Sequence, residues 1–119
     1  MIDEIKLKED VPVVIANNHS VIIWVNHKFE EVFQWPKNEI VGQLLTTIIP
    51  RELHDAHNLG FSRFISTEKS QILNQSIKLK AVKKNGEVFA AEHFIQAEKN
   101  EGLWVFAATI QPIEVSANG

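Results

Sequence analysis

Two short β-branched runs, Val13-Val14-Ile15-Ala16 and Val21-Ile22-Ile23-Trp24-Val25, flank Asn17-Asn18-His19-Ser20. β-Branched side chains suit a pleated surface and Asn suits a turn, so the pattern predicts a hairpin. The period then changes. Asn26 is placed to cap a helix over 27–33, where Phe29, Val32 and Phe33 recur at helical spacing and Pro36 interrupts the run. A second short helix is expected over 37–41, with Gly42 at its C-terminal end. Pro50 stands near the start of the longest helix, in which Leu53, His57, Gly60, Phe61 and Phe64 share one stripe. Gly60 inside that helix costs about 1 kcal/mol relative to Ala; it marks either a close approach to the backbone or a kink between two shorter helices.

Period two returns at residues 76–82, with Ile77, Leu79 and Ala81 alternating against Ser76, Lys78 and Lys80. Asn85-Gly86 makes a turn, and the returning strand puts Phe89, Ala91, His93, Ile95 and Ala97 on one face. After a second turn at 100–102, residues 103–111 form a last strand that Pro112 ends. This strand is apolar on both faces: Trp104, Phe106, Ala108 and Ile110 oppose Leu103, Val105 and Ala107. Both faces therefore need cover, from a partner or from the N-terminal segment, and a homodimer is the expectation. Residues 1–12 form an amphipathic lead-in, 13–113 one domain and 114–119 a tail; the element order is ββααα then βββ.

Composition narrows the chemistry. In 119 residues, 12 Lys+Arg face 15 Asp+Glu, and the basic residues are scattered apart from Lys83-Lys84, so nucleic acid is not expected as a partner. The absence of Cys excludes thiol nucleophiles, disulfides, cysteine zinc sites and cysteinyl light-sensing adducts. No apolar run approaches the roughly 20 residues of a membrane span, and the start lacks the basic-then-apolar pattern of a signal peptide. A cytoplasmic domain without membrane contact is expected. No phosphate loop is present, and neither Ser62 nor Ser66 follows a nucleophile elbow. His54, Asp55 and His57 form a small titratable group on the long helix, for which a solvated helix flank is the default reading over a metal site.

Val25-Asn26 followed by Phe29-Glu30-Glu31-Val32-Phe33, then Lys37-Asn38-Glu39-Ile40-Val41-Gly42-Gln43, Ile48-Ile49-Pro50 and Lys83-Lys84-Asn85-Gly86-Glu87-Val88-Phe89, resemble in order and spacing the motifs of the PAS sensor family. The resemblance covers about residues 13–111. It implies an α+β fold, a five-stranded antiparallel sheet with short helices packed on one face, and a regulatory module without catalysis of its own. The stretch from Pro50 to Phe64 is similar to a helix of the haem-binding PAS oxygen sensors of two-component kinases. Aligned on Ser62-Arg63-Phe64, His57 falls on the proximal haem ligand of those proteins, a placement that suits a neutral imidazole on an apolar stripe.

The same resemblance makes His93 a candidate second ligand or distal group, standing where those sensors carry an aliphatic residue. Ile77 occupies the place of their gas-responsive arginine and cannot make its charge-assisted bond. Phe61, Leu73, Ile95 and Trp104 complete the expected pocket. The implied function is a sensor binding b-type haem and responding to gas or redox state, as a homodimer acting on an output domain or signalling partner. The alternatives are a cofactor-free dimerisation or protein-interaction module, in which His57 and His93 are core histidines, and a domain binding flavin or a small organic ligand.

Overall fold

The computed structural model describes residues 2–113; the expected tail over 114–119 lies outside the described residues. Helix α1 (Ile2–Lys6) leads into strands β1 (Val13–Ala16) and β2 (Ile22–Val25). Helices α2 (His27–Phe33), α3 (Lys37–Ile40) and α4 (His54–Thr67) precede β3 (Ser76–Val82), β4 (Val88–Asn100) and β5 (Leu103–Pro112). Two 3₁₀ turns, Leu45–Ile48 and Arg51–Leu53, link α3 to α4. The strands form one antiparallel sheet in the order β2-β1-β5-β4-β3.

The local reasons are those the residue pattern contains. Asn17 Oδ1 accepts from the N–H groups of His19 and Val21, closing the β1–β2 turn. Asn26 is buried at the start of α2 and saturates its amide: Oδ1 accepts from Val13 and Phe29 N–H at 2.9 Å, and Nδ2 donates to the Lys8 and Val11 carbonyls. One side chain thus caps α2 and ties it to the segment entering β1. Gly86 takes φ +90° in the β3–β4 turn, a conformation that favours glycine.

α2, α3 and α4 lie on one face of the sheet. That inner face carries Val14, Leu79, Ala91, His93, Ile95, Phe106, Ala108 and Ile110, and its packed part is filled by Ile22, Phe29, Phe33 and Ile40. α1 covers part of the opposite face, where Ile2 and Ile5 bury against Val13, Ile15 and Ala107, with Trp24 and Val105 at the margin. Of the outer apolar residues of β5, Ala107 is buried beneath α1 and Val105 partly so, while Leu103 stays exposed. α4 runs unbroken from His54 to Thr67, which removes the reading of Gly60 as a kink between two helices.

Candidate functional site

Between α4, the segment that follows it and the inner face of the sheet lies a cavity of about 920 Å³. This is near the upper end of ligand pockets, which run to roughly 1,000 Å³. Its walls are mostly apolar: Leu45, Ile48 and Ile49 at one side, Phe61 and Phe64 from α4, and Ile95, Phe106 and Ala108 from the sheet. The segment after α4 lines it, pinned by a bridge between Leu73 and Ile95 and by Asn74 N–H donating to the Ile95 carbonyl at 2.8 Å.

Two histidines face this space. His57 comes from α4 and is half-buried; its Nε2 is 3.3 Å from Ser20 Oγ in the β1–β2 turn. Burial and, secondarily, the neighbouring His54 hold its pKa below the ordinary value of 6.5. His93 comes from β4 and is 9% exposed. Burial lowers its pKa as well, against the opposing pull of a hydrogen bond to the Leu79 backbone. Both imidazoles are therefore neutral at neutral pH, the state in which a ring nitrogen can accept a hydrogen bond or ligate a metal. His93 Nε2 is buried with no hydrogen-bond partner among the described residues. An unpaired buried nitrogen is costly, and the residue that carries this one is among those lining the cavity.

A sequence profile described as PAS domain matches residues 10–113. The chain belongs to the PAS family. An uncharacterised protein of Azorhizobium caulinodans is 29% identical over 102 residues, which are 85% of this chain and 14% of that protein, so the chain spans only a small part of its relative. Among solved structures, the PAS domain of an HTR-like protein from Haloarcula marismortui superposes with a TM-score of 0.70 at 16% identity, covering 87% of this chain and 82% of that one. A Light-Oxygen-Voltage domain studied with a flavin analogue gives 0.67 at 13% identity, covering 88% and 78%. At such identities the likeness is one of fold. A PAS domain is a sensory, regulatory module of signal transduction.

In this PAS domain, five of the seven candidate pocket residues, His57, Phe61, Leu73, His93 and Ile95, line the cavity. Ile77 and Trp104 do not. Ile77 is the register partner of His93 on the edge strand, but Leu79, two residues on, forms that part of the wall. Trp104 is drawn to the rim: its ring packs edge-on against Phe64 at 4.9 Å, its side chain bonds to Glu68, and Lys99 lies over its ring at 5.4 Å. His54, three residues from His57, donates from Nε2 to the Ile49 carbonyl at 2.6 Å, and no group of three or more metal-binding side chains occurs among the described residues. Among the described residues no helix is long and apolar enough to cross a membrane.

Sequence reasoning passed over Ser20, whose contact with His57 joins positions 37 apart, and the rim residues Arg63, Lys69 and Lys80. No Asp or Glu is among the residues that line the cavity, a feature that the fold alone reveals.

Proposed function

We propose that this chain is the sensory PAS domain of a signalling protein and that its cavity binds b-type haem between His57 on α4 and His93 on β4. The observation that carries this reading is a large apolar cavity lined by two imidazoles that burial keeps neutral, His57 from α4 and His93 from β4. The lining suits the group: neutral histidine nitrogens could ligate the iron, and the apolar walls would shelter a flat porphyrin. When bound, haem supplies an iron that takes a diatomic gas or changes redox state. His57 would hold the group through its imidazole in place of its contact with the Ser20 hydroxyl, and His93 would face it from β4. His57 lies in the first turn of α4 and His93 on the inner strand β4, so a group held between them would couple α4 to the sheet. A ligand that favours one of two such arrangements shifts their population and so the state of an output domain or partner protein. We place this action in the cytoplasm, in a homodimer.

The test is the visible spectrum of protein expressed with ample haem, recorded oxidised, reduced and under carbon monoxide. A Soret band that shifts with carbon monoxide is expected, lost in His57→Ala and altered but retained in His93→Ala. Haem uptake unchanged by both substitutions sinks the assignment. A flavin spectrum, or a colourless protein that refuses added haem, replaces it with the flavin or cofactor-free reading.

A further inference from the structure

The half-buried Ser20 and His57 bring the β1–β2 turn and the first turn of α4 together, with Ser20 Oγ 3.3 Å from His57 Nε2. Ser20 takes φ +63°, a left-handed conformation uncommon outside glycine, and the bonds around it keep it there. Its N–H donates to the Asn17 carbonyl at 3.0 Å, and its carbonyl accepts from Leu45 N–H at 2.9 Å. Asn17 Oδ1 fixes the next residue by accepting from Val21 N–H at 3.1 Å, and Val21 forms an antiparallel bridge with Leu44. Backbone bonds thus set where the hydroxyl stands. Leu45 and His57 line the cavity, whereas Ser20 is not among the lining residues. From outside the cavity, one serine holds two of its walls: the 3₁₀ turn that begins at Leu45 through its carbonyl, and α4 through its hydroxyl.

We propose that Ser20 and His57 form a latch that the occupant of the cavity opens: a group that takes His57 Nε2 displaces the Ser20 hydroxyl and frees the β1–β2 turn. The inference rests on the reading of His57 as the residue that holds the ligand and adds how its capture is felt outside the cavity. Nε2 of a neutral imidazole offers one lone pair or one N–H, so it serves either Ser20 or a ligand. What the latch adds to the empty fold it therefore takes from ligand affinity, which is a coupling between turn and cavity. The turn leads directly into β1, which pairs with β5 from Val13 to Ala16 and buries Val13 and Ile15 against Ile2 and Ile5 of α1. The freed turn is thus contiguous with the far side of the sheet.

Hydrogen exchange followed by mass spectrometry, over peptides spanning 17–23 and 43–48, tests the latch in the folded domain without ligand and with haem b. Ser20→Ala deletes the hydroxyl. Ser20→Gly deletes it with a residue suited to φ +63°, so a change common to both belongs to the hydroxyl and not to the backbone of the turn. Each of them, like His57→Ala, is expected to speed exchange in both peptides about fivefold, the worth of one ordinary hydrogen bond. The double variant Ser20→Ala/His57→Ala is expected to go no further than either single one. Haem added to the wild type is expected to speed exchange over 17–23 to the same degree, and both Ser20 variants to bind haem about fivefold more tightly than the wild type. Exchange unchanged by the Ser20 substitutions, effects that add in the double variant, or haem bound no more tightly by either Ser20 variant overturns the latch. Haem bound through His57 with exchange over 17–23 unchanged removes the latch and leaves the haem reading standing. A protein that refuses haem while its single and double variants behave as stated does the reverse.

Discussion

On the α2–α3 side of the inner face, Ile22, Phe29, Phe33 and Ile40 are wholly buried, with Phe29 and Phe33 stacked at 4.2 Å and Phe33 edge-on to Phe89 at 5.3 Å. On the α4 side, a helix of 14 residues buries only Phe64 and stands over a cavity of about 920 Å³. The shorter helices fill their half of the sheet with side chains; the longest leaves its half hollow. An unfilled apolar space forfeits dispersion contacts, so α4 is held by its margins. Phe64 packs with Trp104 and Phe106, His54 bonds the Ile49 carbonyl, His57 contacts Ser20, and Glu68 pairs with Lys99. Stability is concentrated where packing is complete, and the space open to a ligand lies where it is not.

Paired truncations put the largest load on that contrast. Phe29→Ala removes a fully buried ring from a closed core and is expected to cost about 3–5 kcal/mol. Phe64→Ala opens space beside an existing cavity, with Trp104 and Phe106 able to relax into it, and is expected to cost about half as much. Chemical denaturation of the two variants gives both values. Equal losses would mean that the α4 side is as tightly packed as the other, and the comparison would fail.

A smaller effect separates the two sides by pH. His57 and His93 lie on the hollow side, and both have pKa values lowered by burial. The fold holds them neutral, whereas the unfolded chain binds protons from about pH 6.5 downward, so their contribution is full above that pH and is lost as pH falls through the folded values. Thermal midpoints of wild type and His93→Leu are compared from pH 8 to 5. The wild type should lose additional stability below about pH 6.5, more than the variant does. Parallel curves from pH 8 to 5 would show that His93 is not held neutral by the fold.

The elements that local pattern determines were legible in the chain itself. The alternation at 76–82, the Asn26 cap and the Asn17 turn each depend on neighbours within a few residues, and all three form as expected. The apolar run from Leu44 to Ile49 folds largely as a 3₁₀ turn, invisible because it shows neither period two nor 3.6. The facing of Trp104 was undecidable for a similar reason, since both alternating sets of β5 are apolar; register with β4 decides it, pairing Trp104 with Lys99 and Ile110 with His93. His57 and His93 were visible as histidines on apolar stripes. The hollow between them was not, because a cavity depends on which distant residues fail to meet.

Gly60 tests the hollow most gently. It is helical, lies mid-way along α4, lines the cavity, and a Cβ built on it meets nothing within 4 Å. Gly60→Ala therefore gains helix propensity without a clash, and the ligand-free protein is expected to become more stable by up to about 1 kcal/mol. If the glycine is there to let a ligand approach the helix backbone, the added methyl weakens the ligand's binding while stabilising the empty fold. The two readouts then move in opposite directions, which no purely structural role for Gly60 produces. A variant more stable in both states would make the cavity indifferent to Gly60, and the nearest wall of the site would have to be sought further along α4, towards Phe61 and Phe64.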